Sequence, residues 1–398
     1  MPNLSIDFCG IKSPNPFWLA SAPPTNTGDQ VKRAFDEGWG GAVFKTLAAS
    51  PITNVSSRFA AVNLGSQRIM GFNNIELISD RPLELNLREL ADIKKQFPQN
   101  VLIASLMFES KEQWQDVMRR VQDCGVDGVE LNFGCSHGMC ERGMGSAVGQ
   151  EPALLTQITR WVREVSTIPV IVKLTPNVSD ILEPAHAAAA GGAHAVSLIN
   201  TIKSIMGVDL ERMVPIPVVG DASTNGGYCG PAVKPIALHM IAQIARDKQI
   251  PIPISGMGGI STWQDAAEFM ALGSTTLQVC TAVMRDGFRI IRELTQGLEG
   301  FLLSKNMDSV SQLIGLAVGA YKDWGDLDMN HHVVARIDES KCIGYQLCYI
   351  SCYDGSHQCI DIHDPKTNAS RVPWVKEDEC VGCIYACWFA PSLTASAW

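Results

Sequence analysis

GVDGVELNFGCSHG, residues 125–138, decides how this chain is read. Its first half, GVDGVEL (125–131), is short, largely apolar and β-branched at Val126 and Val129, which suits a buried strand. That strand ends in the amide Asn132 and, three residues on, the thiol Cys135. The adjoining GMCERGMGSAVGQ (138–150) is glycine-rich and carries Glu141 and Arg142, so it is expected as a mobile surface loop. In an α/β protein the side chains at the C-terminal ends of strands line the site, and the loops after them can close over it. The bland reading of Cys135 is an inert thiol buried beside a turn. The rest of the chain decides between the two.

Seven further runs resemble this one: PFWLAS (16–21), GAVFKT (41–46), VLIASLM (101–107), PVIVKLT (169–175), AVSLIN (195–200), IPISGM (252–257) and TTLQVC (275–280). All are near-continuously hydrophobic, as strands covered on both faces must be. Between them lie amphipathic stretches such as KEQWQDVMRRVQDCG (111–125), PALLTQITRWVREVS (152–166) and QDAAEFMALG (264–273), which read as helices returning the chain. Eight β/α units predict a closed (β/α)8 TIM barrel. An open doubly wound sheet is the rival, and it calls for an early G-x-G-x-x-G that this chain lacks. Helical patterns at 286–300 and 307–319 are expected to close the barrel. The domain reading is a barrel over 1–320, a polar linker over 321–335 and a cysteine-rich domain over 336–398.

Bulk properties narrow the function. Of 398 residues, 46% are hydrophobic and 18% charged, as in a globular enzyme with well-covered strands. A net charge of −9 argues against a general nucleic-acid binder. MPNLSIDFCG at the start has neither a basic segment nor an apolar one, and no apolar run reaches the ~18 residues of a membrane span. The expectation is therefore no membrane partner and a cytoplasmic location. Of the thirteen cysteines, seven crowd into the last 57 residues. In a reducing compartment that crowding points to metal or iron–sulfur ligation rather than disulfides.

Polar residues gather at the predicted strand tips. The first strand ends in Ala20-Ser21-Ala22, small enough for a flat ring to lie against the backbone. Lys45-Thr46 ends the second strand, Asn132 and Cys135 follow the fourth, Lys173 ends the fifth, and Asn200-Thr201 end the sixth. The seventh runs into Gly258-Gly259 and the eighth into Cys280-Thr281. GGYCG (226–230), ending in Gly230, and GMGG (256–259) read as glycine turns, the kind that hold phosphate late in such barrels. A lysine within an apolar strand is costly unless paired. The N1–O2 edge of a flavin, anionic once reduced, supplies a reason for one. The amides Asn74, Asn132 and Asn200 each offer a donor and an acceptor, matching the alternating edge of a cyclic imide. Asn74 is expected in a loop after the second strand.

Together NPFWLASAPPTN (15–26), GGAVFKT (40–46), GFNNIELIS (71–79), ELNFGCSHGMCERGMGSAVGQ (130–150), KLTPNVSDI (173–181), SGMGGISTWQDAAEFMALG (255–273) and LQVCTAVM (277–284) resemble the dihydropyrimidine dehydrogenases. The likeness extends over essentially the whole chain and is nearest to the pyrimidine-reducing subunit of the two-subunit NAD-dependent form. The barrel itself is shared with dihydroorotate dehydrogenases, so the fold alone does not separate the two. The resemblance implies FMN held by Ala20, Ser21, Lys45, Thr46, Lys173, Gly230, Gly258, Gly259, Cys280 and Thr281. It implies a pyrimidine bound by Asn74, Asn132, Asn200 and Thr201, with Cys135 as the catalytic acid. A thiol suits that role because its ordinary pKa, about 8.5, leaves it protonated yet labile at neutral pH. It further implies an NAD(P)H- and FAD-containing partner subunit in a hetero-oligomer. Two alternatives remain: a dihydroorotate-type dehydrogenase, and a flavin-binding subunit with an impaired relay. Ser136 stands where the family usually has proline, which is expected to loosen the loop by about 0.4–1 kcal/mol of unfolded-state entropy.

The tail resembles the ferredoxin module of the same family, which carries two [4Fe–4S] clusters on paired C-x2-C-x2-C-x3-C-P runs. The ligand positions that it implies here are Cys342, Cys348, Cys352, Cys380 and Cys383, with Cys387 as a neighbouring candidate. Tyr345, Ala386 and Ala390 occupy the remaining three. The first cluster is expected to be absent or badly impaired, since it keeps two thiols. The second keeps three, plus Cys387. Zinc is a rival occupant, although C-x2-C-x3-C is not a usual zinc spacing. Cys359 is expected to pack in the module's core.

Overall fold

The computed structural model describes residues 1–64, 68–362 and 372–383, and the backbone of 393–397. The chain divides into two compact units, Met1–Tyr321 and Lys322–Trp398.

Eight parallel strands close a barrel in the first unit: β1 (Phe17–Leu19), β2 (Gly41–Leu47), β3 (Val101–Leu106), β4 (Gly128–Asn132), β5 (Val170–Lys173), β6 (Ala195–Leu198), β7 (Ile254–Met257) and β8 (Ser274–Val279). Each pairs with its sequence neighbours, and β8 closes onto β1 through Leu277 opposite Phe17. Every residue of β2, β3 and β4 is buried, the signature of strands with a packed interior on one face and helices on the other. The return helices begin where the chain supplies a cap. In α1 (Gly28–Glu37) the Thr27 hydroxyl accepts from the Gln30 N–H at 3.3 Å, and Gly38 ends the helix at φ +109°. Ser110 caps α2 (Lys111–Asp123) in the same way. Trp18, Trp39, Trp114, Phe44 and Phe269 are fully buried among the branched residues of the strands. Truncating one such aromatic to alanine typically costs about 3–5 kcal/mol.

Two excursions, after β2 and after β6, build a four-stranded antiparallel sheet in the order Ile202–Ser204, Gly226–Cys229, Arg68–Asn74, Phe59–Leu64. Two expectations are corrected here. Asn74 ends a strand of this sheet rather than lying in a loop. GGYC (226–229) is likewise a strand, and only Gly230 turns, at φ +95°. Its glycines serve close packing: a Cβ on Gly227 would run into the Thr201 hydroxyl, and one on Gly226 into the Asn73 amide.

A third correction concerns 307–319, which forms no α-helix. The segment holds two 3-10 turns, Val310–Gln312 and Val318–Ala320. Gly315 sits at φ +77°, and its N–H bonds to the Met270 carbonyl instead of continuing a ladder.

In the second unit, Val333–Ile337 pairs antiparallel with Leu393–Ala397, so a strand begins inside the stretch read as linker. Its described residues also hold a helix, Leu347–Tyr353, the short pair Ile360–Asp361 with Trp374–Val375, and two 3-10 turns, Trp324–Asp326 and Glu377–Glu379. The core of this unit is small: Val334, Ile360 and four cysteines, Cys348, Cys352, Cys359 and Cys380.

Candidate active site

The strand ends of the barrel surround one cavity of about 1140 Å³, which includes space open to solvent. All fifteen residues expected at the barrel site line it, from Ala20 and Ser21 on β1's end to Cys280 and Thr281 after β8.

The two strand lysines are both paired. Lys173, at the tip of β5, lies 3.6 Å from the Glu130 carboxylate inside the barrel. Lys45 on β2 donates to Glu76, which comes two residues after the sheet strand ending at Asn74, and Arg58 lies 3.8 Å from the other oxygen of Glu76. Burial pulls the Lys45 ammonium down to about 8, while contact with Glu76 keeps it charged. The cost of a buried lysine is thus met within the protein, and the cations stand ready for a ligand that gains negative charge.

The amides converge. Asn132 donates to the Thr46 hydroxyl at 3.0 Å, and its carbonyl accepts from Asn200 Nδ2 at 3.1 Å. The Asn200 carbonyl accepts from the Thr201 N–H at 2.8 Å, and the Asn74 carbonyl from the Glu76 N–H at 2.6 Å. Ser21 and Ser105 hydroxyls lie 3.1 and 2.8 Å from that of Thr46, completing a hydroxyl–amide chain from β1 to β6. Bonds already made fix the orientation of each amide before any ligand arrives.

Cys135 is buried, with its thiol donating weakly to the His137 carbonyl at 3.5 Å. It packs with Ala48, Ile78, Met107, Met139 and Met144. Burial pushes the thiol up to about 11, so it is protonated at neutral pH. The loop expected to be mobile is largely packed. Met139 and Met144 are buried, Ser146–Gly149 is a helical turn, and only Glu141–Gly143 and Gln150 are fully exposed. Ser136 is also held: its hydroxyl lies 3.4 Å from that of Thr201 and its carbonyl accepts from Asn225 at 3.3 Å. These bonds counter the looseness expected from losing proline.

At the far end, Gly258 and Gly259 take φ +118° and +91°. A Cβ on Gly259 would sit 2.9 Å from Lys234 Cβ and 3.0 Å from the Gly230 carbonyl, so the backbone itself forms this wall. Small residues at β1, paired cations at β2 and β5, and bare backbone after β6 and β7 together fit a flavin mononucleotide.

Sequence reading missed Glu76, Glu130, His137 and Gln278. Glu76 and Glu130 each interrupt an apolar run, as the lysines do, and that symmetry was the available signal. His137 is buried, donates from Nε2 to the Glu76 carbonyl (3.1 Å), and leaves Nδ1 unpartnered. Burial lowers its pKa to about 4, so the ring is neutral.

In the tail, Cys348, Cys352 and Cys380 are buried, Cys342 is partly buried and Cys383 is exposed. Cys387 lies outside the described residues. Cys359 is buried in the core with its sulfur 3.5 Å from that of Cys352, and it also contacts Cys380. Tyr345 is exposed and offers no thiolate. Among the described residues no group of three or more His, Cys, Asp or Glu is arranged to hold a metal ion. The donors described do not fit two four-thiolate clusters.

Residues 3–302 match the family model for dihydroorotate dehydrogenase, and 335–391 that for a 4Fe-4S dicluster domain. The chain is 45% identical over 360 residues to the NAD-dependent dihydropyrimidine dehydrogenase subunit PreA of Escherichia coli (strain K12), covering 90% of this chain and 87% of that one. It is 43% identical over 338 residues to the chloroplastic dihydropyrimidine dehydrogenase (NADP(+)) of Arabidopsis thaliana (82% and 79% covered). Against the catalytic subunit of dihydroorotate dehydrogenase B (NAD(+)) of Pyrococcus abyssi, identity is 36% over 316 residues (79% and 99% covered).

Proposed function

The chain belongs to the dihydroorotate dehydrogenase family, and on that premise we propose that it is the oxidoreductase subunit reducing uracil or thymine to the 5,6-dihydropyrimidine. Ala20, Ser21, Lys45, Thr46, Lys173, Gly230, Gly258, Gly259, Cys280 and Thr281 would hold FMN, the lysines beside its polar ring edge and the glycines and Thr281 beside its phosphate. Bound there, FMN supplies hydride to C6 of the ring. Asn74, Asn132, Asn200 and Thr201 bind the alternating N–H and C=O edge of the pyrimidine. Cys135 delivers a proton to C5, and its raised pKa keeps that proton available across the physiological range.

The observation that carries this reading is the convergence of Asn132, Asn200 and a protonated Cys135 on one cavity. Electrons come from an NAD(P)H- and FAD-carrying subunit in a cytoplasmic hetero-oligomer. Because Tyr345, Ala386 and Ala390 replace thiols in the tail, the chain accepts them poorly. Oxidation of dihydrouracil and of dihydroorotate by the FMN-loaded chain, with a soluble dye as acceptor, tests the substrate. Turnover of dihydrouracil alone is expected. Turnover of dihydroorotate alone would overturn the proposal.

A further inference from the structure

Glu130 is a carboxylate sealed inside the barrel to which the proposed reaction gives no task. It lies in the middle of β4 and is fully buried. One oxygen accepts from Ser197 on β6 and from Gln278 on β8, each at 2.8 Å. Gln278 donates also to Ser255 on β7 at 3.1 Å, and Ser255 accepts from Thr276 at 2.6 Å. Four strands therefore fix the carboxylate in place. Its second oxygen has no hydrogen bond and faces the Lys173 ammonium, 3.6 Å away. Lys173 lines the cavity and Glu130 does not.

The other ionic pair is built differently. Glu76 lies in the lining of the cavity, on an excursion from the barrel, and shares its charge with Lys45 and Arg58. Glu130 has nowhere to go. A buried carboxylate held by neutral donors alone is unfavourable, and so is an isolated buried ammonium, so each keeps the other charged.

We propose that Glu130 is a positioning residue that holds Lys173 charged and aimed at the cavity floor, and thereby sets how strongly the site favours a ring edge that gains negative charge. This rests on the flavin reading. Without Glu130, the Lys173 ammonium loses the fixed carboxylate that orients it, and the preference for the reduced, anionic ring is lost. The other titratable groups of the cavity are Tyr228, the thiols of Cys135, Cys229 and Cys280, which burial raises, neutral His137, and the Lys45–Glu76 pair. Only that pair contributes a second charge.

Potentiometric titration of the FMN-loaded protein between pH 6 and 9 reads this directly. Glu130→Gln, which preserves shape, is expected to weaken binding of reduced relative to oxidised FMN by at least about tenfold. Lys173→Met should do the same, and the double variant no more than either. A Glu130→Gln variant with an unchanged potential, whatever its melting temperature, would overturn the inference. Infrared spectroscopy of the flavin-free Lys173→Met protein gives a second readout if Glu130→Gln does not fold. A protonated-carboxyl band absent from the wild type is expected, and its absence from the variant would refute the pairing. Failure of the wild type to bind FMN would instead sink the flavin reading.

Discussion

The barrel and the tail carry their functional residues in opposite ways. In the barrel the core is made of Trp18, Phe44, Trp114 and branched side chains, few of which (Ile199, Val233, Ile260 and Val279 among them) reach the cavity, and the site residues sit on strand ends above it. In the tail, cysteines make up most of the core among the described residues, and three of them, Cys348, Cys352 and Cys380, stand at expected ligand positions. A barrel of this kind can exchange site residues and still fold. A small metal-dependent module ordinarily cannot, because ligand binding supplies its folding energy. That the tail lacks thiols at 345, 386 and 390, and keeps Cys348, Cys352, Cys359 and Cys380 packed together, fits a module in which cysteine now serves as a small hydrophobe.

The contrast is sharpest in catalysis. Cys135→Ala should lower pyrimidine reduction by about 10²–10⁴ while FMN and ligand still bind, the usual consequence of losing a positioned acid. Unchanged turnover would remove Cys135 from the mechanism and weaken the barrel's side of the comparison. Next, the rate with a dithionite-reduced dye should exceed that with an NADH-oxidising partner subunit, because the dye bypasses the tail. Equal rates would mean that the relay is intact.

Two smaller effects separate the units by stability. His137 is neutral in the folded barrel at about 4 and titrates at 6.5 when unfolded. The unfolded chain thus binds more protons between those values, and the barrel loses stability as pH falls from 6.5 towards 4, by up to roughly 3 kcal/mol. Urea unfolding of the wild type and His137→Gln at pH 7 and pH 4.5 should show the variant losing less. An identical loss would mean that His137 is not the group responsible. Gly259→Ala should cost the barrel about 1–3 kcal/mol through its left-handed backbone and the close Gly230 carbonyl, and should lower FMN retention. Full retention at wild-type stability would exclude that turn from the phosphate site.

Much of the barrel is legible in the sequence because both faces of its strands are buried, which leaves continuous apolar runs such as VLIASL and GVELN. The polar residues ending those runs could be read as one site for the same reason. What lay hidden depends on contacts between segments far apart in the chain. The partners of Lys45 and Lys173 follow from no spacing rule. The glycines of 226–229 looked like a turn, since the Asn73 and Thr201 side chains that demand them come from other elements. Segment 307–319 has helical periodicity, but Gly315 and the end of the helix Trp263–Ala271 take its hydrogen bonds. In the tail, the core position of Cys359 was readable, whereas its contact with Cys352 and Cys380 was not.

The central claim is that an intact flavin site shares this chain with an incomplete iron–sulfur tail. A visible spectrum of the anaerobically purified protein, with iron and acid-labile sulfide assayed on the same sample, tests it most directly. The account predicts a flavin spectrum with iron far below the load of two clusters. Flavin accompanied by about eight irons per chain, the content of two [4Fe–4S] clusters, would contradict it.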